Sequence, residues 1–232
     1  MDFKNELEKL NINYNDDILN KFEMYYKKLI EVNEYMNLTA ITEHDDVYIK
    51  HFIDSLFILK AIDNTKKFNI LDVGSGAGFP SIPLAIVSNN ANVCIIDKLN
   101  KRINFLNDLV KYINISNVSA YHFRAEEYIK DKREYFDYVT ARAVARLNLL
   151  VELCIPFVKI GGYFIAMKGQ IANEELDEAL NAIKVLGGSV EKIIEMDLPD
   201  DCGKREIILI KKIKETPKKY PRDFNKIKEK PL

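Results

Sequence analysis

Three glycines at alternate positions, Gly74, Gly76 and Gly78, follow the run Ile70-Leu71-Asp72-Val73 and precede Phe79-Pro80. A branched apolar run of this kind suits a buried parallel strand, and a turn built without Cβ atoms lets the backbone approach a nucleotide-type ligand closely. Asp72 stands two residues before the first glycine, and Ser75 lies inside the turn. A carboxylate there would repel a pyrophosphate but suits a ligand carrying an amino group and a sulfonium, which describes S-adenosylmethionine. Dinucleotide binding stays open at this point. Read from Gly74, the third position of G-x-G-x-x-G is the bulky Phe79, whereas read from Gly76 it is the small Ser81.

Further chemistry-bearing residues fall at the ends of the apolar runs that come next. Asp97 closes residues 91–97 about 20 positions beyond the glycines, where adenosine-binding α/β domains carry an acidic residue for the ribose hydroxyls. It could also cap the helix that follows. Arg124-Ala125-Glu126-Glu127 ends the run 118–123 where such domains turn loop residues toward an adenine, which nominates Glu126 by position. Arg142 and Arg146 flank Ala143-Val144-Ala145 after the run 136–141. Two guanidinium groups at the carboxyl edge of a sheet suit a phosphate-bearing or base-bearing substrate. Cys94, Cys154 and Cys202 are widely spaced with three histidines in the whole chain, so neither a disulfide framework nor a metal site is expected.

Regular elements must hold these residues in place. Ile18, Leu19, Phe22, Tyr25, Tyr26, Leu29, Ile30 and Val32 recur at helical spacing over residues 16–36, behind Asp16 or Asp17 as a cap. An ordered connector, residues 36–42, leads to a second helix near 45–61, where Lys50, His51, Asp54 and Ser55 share one face and read as a surface or capping group. Helices are expected at 79–87, its prolines Pro80 and Pro83 in the first turn, and at 98–112, 147–158 and 173–186. Gly161-Gly162 should turn the chain into a fifth strand, 163–167, that ends in Lys168-Gly169. The last two strands, 189–198 and 205–212, are separated by so short a link that they must pair antiparallel. A parallel doubly wound sheet closed by such a hairpin is the usual sheet of S-adenosylmethionine-dependent methyltransferases, which favours that cofactor over a dinucleotide. The expected fold is therefore α/β, a Rossmann-like class I methyltransferase sheet of seven strands. An N-terminal helical extension should occupy residues 1–66, the cofactor-binding domain 67–215 and a basic tail 216–232.

At 232 residues, 47% hydrophobic and 30% charged, the composition is that of a soluble globular protein. No apolar run approaches a membrane span and the first residues lack the pattern of a signal peptide, so a cytosolic protein is expected. Net charge is −1, yet residues 204–232 hold eleven Lys/Arg against four Asp/Glu. Lys204, Arg205, Lys218, Lys219 and Arg222, together with Arg146 and Lys168, are the candidate contacts to nucleic-acid phosphates.

Taken together, the chain resembles the bacterial small-subunit ribosomal RNA guanine-N7 methyltransferases, the glucose-inhibited division protein B family. The resemblance is carried by Met36-Asn37-Leu38-Thr39, Lys50-His51-Phe52-Ile53-Asp54-Ser55-Leu56, Leu71-Asp72-Val73-Gly74-Ser75-Gly76-Ala77-Gly78-Phe79-Pro80, Arg142-Ala143-Val144-Ala145, Lys168-Gly169 and Lys219-Tyr220-Pro221-Arg222. It implies a cofactor bound through Gly74, Phe79, Ala125, Glu126 and Arg142, and a guanine of 16S ribosomal RNA as substrate, naked or in a small-subunit particle. A monomer is expected. In the tail the chain departs from such proteins, carrying Asn225 and Ile227 where they tend to have Gly and Pro. Guanine N7 offers an unprotonated lone pair, so no catalytic acid or base is needed and Arg142 is left a positioning role. Thr140-Ala141-Arg142-Ala143 lacks the proline-aromatic motif of amine methylases, and Cys154 falls within a helix rather than at the sheet edge where a cytosine-carbon methylase needs its nucleophile. A small-molecule methyltransferase on the same fold, or a non-catalytic ribosome-assembly factor that binds the cofactor, are the alternatives.

Overall fold

The computed structural model describes residues 1–142, 145–170 and 173–232, so Ala143 and Val144 of the arginine loop lie outside the described residues. Helices α1 (Phe3–Lys9) and α2 (Asp16–Met36) open the chain. One helical rod of changing pitch follows: α3 (His44–Val47), a π-helical turn Tyr48–Ile53, α4 (Asp54–Leu56) and a 3-10 turn Phe57–Lys60. Strands and helices then alternate through β1 (Phe68–Val73), α5 (Ser81–Val87), β2 (Ala91–Asp97), α6 (Asn100–Tyr112), β3 (Val118–His122), α7 (Ala125–Lys132), β4 (Phe136–Arg142), α8 (Leu147–Cys154), β5 (Val158–Gly169), α9 (Asn173–Val185), β6 (Gly188–Asp197) and β7 (Lys204–Lys212), before α10 (Phe224–Glu229).

The seven strands form one sheet in the order β3-β2-β1-β4-β5-β7-β6. The described β1 to β5 pairs are parallel, and β7 is antiparallel to both β5 and β6. Alternation along each strand feeds two cores. Phe68 and Ile70 of β1 join α1, α2, the helical rod, α5 and α6 on one face, while Leu71 and Val73 join α7, α8, α9 and the tail on the other. Strand order reverses between β1 and β4, and the crevice that opens there at the carboxyl ends of the strands is where open α/β sheets bind ligands.

Several local expectations differ from what is observed. Asn15 caps α2, its side chain accepting from the Ile18 N–H at 2.9 Å, and Asp16 and Asp17 become first-turn acids. α5 starts at Ser81, two residues later than expected. α8 ends at Cys154 in front of a 3-10 turn containing Pro156, whose missing N–H cannot continue the α-helical ladder. Gly161-Gly162 lies inside one long β5, where the register with β4 shifts; Gly161, at φ 85°, is a bulge rather than a turn. The rod at residues 44–60 is interior, with His51 and Asp54 only 9% and 6% exposed. It is wedged between α2 and the sheet, so the expected surface face of His51 and Asp54 points into the protein.

The basic tail is packed against the domain. The Thr216 N–H donates to Glu134 Oε1 at 2.8 Å, and the Thr216 hydroxyl donates to the Leu186 carbonyl at 2.6 Å. Arg133 donates to the Tyr220 carbonyl, and Tyr220 and Ile227 are buried. Arg222 donates through Nε and Nη2 to the two carboxylate oxygens of Glu152, at 2.8 and 2.6 Å, and Glu152 is fully buried. Of the tail's nominated contacts, Arg222 is thus held in a structural pair while Lys218 and Lys219 stay exposed. Arg222→Ala would strand a buried carboxylate and should cost about 3 kcal/mol, read as a lower urea midpoint. Lys218→Ala with Lys219→Ala should leave the stability within about 0.5 kcal/mol of the parent.

Candidate functional site

A cavity of about 540 Å³ opens at the carboxyl ends of β1, β2 and β4. Gly74, Ser75, Gly76 and Phe79 form its floor, and Asp97, Ala125, Glu126 and Arg142 stand in its walls. Gly74, Gly76 and Gly78 all adopt left-handed backbone, at φ 78°, 63° and 108°. Their purposes divide. A Cβ on Gly76 would meet nothing within 4 Å, whereas one on Gly78 would lie 2.7 Å from Ile82 Cγ1 and 2.8 Å from Tyr25 Oη. Gly78 therefore makes room for α2, whose Tyr25 hydroxyl donates to the Ala77 carbonyl at 2.6 Å, and is not part of the cavity lining. The expectation that all three glycines serve ligand approach is corrected for Gly78.

Asp72 is fully buried one layer behind the cavity wall and does not line it, which corrects the expectation of direct contact with a ligand. Its Oδ2 accepts from the Ser81 hydroxyl at 2.6 Å, while its Oδ1 and the Ser75 hydroxyl have no hydrogen-bond partner among the described residues. Burial pushes the Asp72 carboxyl up to about 7, against the opposing influence of the Ser81 and Ser75 hydroxyls and of Arg142. A buried carboxyl beneath the glycine turn favours a ligand that brings positive charge to the turn above it.

Asp97 lines the cavity and ties the entry of α6 to the glycine turn. Oδ1 accepts from the Leu99 N–H at 2.9 Å at the entry to α6, and Oδ2 accepts from the Gly76 N–H and from Arg102 Nη1, each at 3.3 Å. The carboxylate is thus fixed between the glycine turn and the cavity. Ala125 and Glu126 begin α7, and the wall near them is completed by residues with no motif signal: Leu99, Arg102, Phe123 and, from the tail, Phe224. Phe224 escapes sequence reasoning because a wall contributed by a distant tail leaves no local pattern.

At the other end of the cavity Arg142 does not project to solvent as its loop position suggests. Its Nη1 donates to Asp54 Oδ2 at 2.8 Å and to the Lys50 carbonyl at 3.3 Å, Nη2 donates to His51 Nδ1 at 3.0 Å, and the guanidinium carbon lies 5.1 Å from the centre of the Phe79 ring. His51 and Tyr25 also stack against Phe79, with centroids 4.4 and 5.4 Å away. Burial, reinforced by Arg142, pushes His51 down to about 3, so its ring is neutral. His51 and Leu38-Thr39 of the connector line the cavity as well.

The basic residues nominated for phosphates are mostly engaged. Arg146 pairs with Glu178 at 3.0 Å, Lys168 with Glu175 at 2.5 Å and Arg205 with Asp54 at 3.1 Å. Arg146 nevertheless keeps 62% of its side chain exposed. Lys204, Lys218 and Lys219 are exposed and form no ion pair among the described residues.

Residues 18–207 match the family model described as GidB, rRNA small subunit methyltransferase G. The chain belongs to this family. It is accordingly an S-adenosylmethionine-dependent methyltransferase of small-subunit ribosomal RNA. It is 54% identical over 212 residues to the ribosomal RNA small subunit methyltransferase G of Staphylococcus saprophyticus, covering 91% of this chain and 89% of the relative. It is 50% identical over 222 residues to that of Bacillus thuringiensis, covering 95% and 93%. Among solved structures, TYW2 from M. jannaschii, in complex with AdoMet, superposes with a TM-score of 0.53 at 15% identity over 68% of this chain and 74% of that one. The YcgJ protein of Bacillus gives 0.56 at 13% identity over 71% and 100%. These two share the fold. The residues matched to the family include the glycine turn and Arg142, whereas Phe224 lies beyond them.

Asp72 supplies a pH test. Its folded value near 7 lies above the ordinary carboxylate range, so its neutral form stabilises the free protein fully below about pH 4, and that stabilisation is lost as pH rises through 7. A cationic cofactor favours the carboxylate, so binding below pH 7 must expel a proton. Cofactor affinity measured by calorimetry should rise with pH from about 6 to about 8, by up to about tenfold per unit at the acid end, and Asp72→Asn should flatten the profile.

Proposed function

We propose that this chain methylates N7 of a guanine in 16S ribosomal RNA, with the cofactor lying across the cavity between Glu126 and Arg142. S-adenosylmethionine, when bound, supplies a methyl group on a positively charged sulfur. Asp97 is placed to accept hydrogen bonds from ribose hydroxyls, and Ala125, Glu126 and Phe123 offer a wall for the adenine. The Asp72 carboxyl, one layer behind Gly74, favours the ammonium end there through its charge rather than by contact. Arg142 and Phe79 then define where the methyl donor and the incoming base can meet.

The observation that carries this reading is that, at the Arg142 end of the cavity, neither the imidazole nor the nearby cysteine is poised to take a proton or to attack. His51, the wall's imidazole, is pushed down to about 3 and its Nδ1 is occupied by Arg142. Cys154 is buried in α8 with its thiol pushed well above its ordinary value, which argues against a covalent route through a thiolate. N7 of guanine needs neither, since its lone pair is free and alignment suffices. Exposed Lys204, Lys218, Lys219 and Arg146 supply the charge for RNA phosphates, and the chain acts as a monomer in the cytosol on RNA that is naked or in a small-subunit particle.

Mass-spectrometric mapping of 16S ribosomal RNA from cells lacking this protein should reveal one guanine without its N7 methyl group, restored by the purified protein. A methyl group missing instead from an exocyclic amine or a ring carbon would refute the N7 assignment. Lys218→Ala with Lys219→Ala should reduce the salt dependence of RNA binding by roughly 0.7 for each phosphate that is no longer neutralised on single-stranded RNA, with cofactor affinity unchanged. An unaltered slope would place the RNA on another face.

A further inference from the structure

Two segments of the chain have no part in the function as described so far, the connector containing Asn37-Leu38-Thr39 and the buried rod containing His51 and Asp54. They meet at the Arg142 end of the cavity. Asn37 ends α2 in left-handed backbone, at φ 52°, and Asn33 Oδ1 accepts from the N–H groups of Leu38 and Thr39 at 2.7 and 2.9 Å, so the connector is held rigidly. Thr39 Oγ1 then lies 2.8 Å from His51 Nε2 and accepts from the Ile41 N–H at 3.0 Å.

The direction of the Thr39 hydroxyl follows from counting protons. A guanidinium nitrogen can only donate, so His51 Nδ1, 3.0 Å from Arg142 Nη2, is the accepting nitrogen. The Lys50 carbonyl, 3.1 Å from the same Nδ1, receives its proton from Arg142 Nη1 instead. A neutral His51 ring, consistent with its depressed value, therefore carries its proton on Nε2 and donates it to Thr39. With both Thr39 lone pairs occupied by His51 and Ile41, its own O–H is a donor with no described acceptor, on a side chain that lines the cavity.

Charge decides what that donor serves. Arg142 and Arg205 share the single carboxylate of Asp54, at 2.8 and 3.1 Å, and Lys50 is already paired with Asp46. Two guanidinium groups thus converge on one carboxylate, with the buried Asp72 the next negative group to act on Arg142, so this end of the cavity suits an anionic group of a ligand. Resting on the S-adenosylmethionine reading, with the nucleoside toward Asp97 and Glu126, the amino-acid end of the cofactor reaches this place. We propose that the Thr39 hydroxyl, oriented by His51, donates to the carboxylate of the cofactor's amino-acid group and, with Arg142, fixes that end of the ligand. Thr39 is the binding residue and His51 positions it.

Calorimetry on the full chain separates this role from a structural one. The probes are S-adenosylhomocysteine and its decarboxylated counterpart, which differ only in the group at issue. Thr39→Val should weaken S-adenosylhomocysteine binding about tenfold, the loss of one charge-assisted hydrogen bond, while leaving the decarboxylated ligand unchanged. Thr39→Ser should stay within about twofold of the parent for both. His51→Phe, which keeps a ring against Phe79 but removes both nitrogens, should show the same carboxylate-selective loss, with its urea midpoint measured alongside. Equal weakening of both ligands by Thr39→Val would reduce Thr39 to a structural part of the connector. Unchanged binding of both, with a raised KM for RNA, would assign the hydroxyl to the target base and overturn the proposal. Failure of the parent protein to bind either probe would remove the cofactor reading itself.

Discussion

The junction at Asp54 is the contact on which the arrangement of this molecule depends. Asp54 comes from the buried rod, Arg142 from the end of β4 and Arg205 from β7, and both arginines reach the same carboxylate. Remove that carboxylate and two guanidinium groups face one another in a poorly hydrated place, where repulsion and weakened solvation act in the same direction. The N-terminal helices are thereby tied to the carboxyl edge of the sheet, and the aromatic stack of Tyr25, Phe79 and His51 seals the same seam. The glycine turn would otherwise be an open rim. Here it is the floor of a cavity with a wall made by the connector after α2 and by His51 of the rod.

Much of the sheet is legible from residue pattern, and for definite reasons. Apolar runs such as Ile70 to Val73 and Ala91 to Asp97 read as strands because a strand buried on both faces needs apolar residues throughout, and the short link between the last two strands leaves antiparallel pairing as the only choice. The fold, the cofactor class and the family follow. His51 and Asp54 are not legible in the same way, because a three-residue spacing says only that two side chains share a helix face, not whether that face meets water or another layer. Nearly every residue of the rod from Val47 to Ile58 is buried, and a helix buried all round has no amphipathic pattern to read.

Charge in the tail is legible as a sum but not as a set of partners. Eleven basic residues against four acidic ones in a terminal segment suggest a solvated arm, yet Arg222 finds Glu152 in α8, Lys212 finds Glu134 just beyond α7, and Arg205 finds Asp54 in the rod. Each partner lies many residues upstream and reveals itself only in three dimensions. What remains free after this internal pairing is a smaller set of lysines. Gly78 teaches the same lesson on the scale of one atom: its motif position suggests a ligand, and the space that it leaves is filled by Tyr25.

Phe224 places part of the cavity wall far beyond Arg142 in sequence, in a segment anchored by Tyr220 to Arg133 and by Arg222 to Glu152 of α8. Synthesis runs from the amino end and domains gather as they emerge, so the glycine turn, Asp97 and Arg142 all leave the ribosome before this wall exists. A nascent chain can fold its sheet and still present an incomplete cavity. The site of an enzyme that acts on ribosomal RNA is thus finished only once the segment that carries Phe224 has emerged and docked.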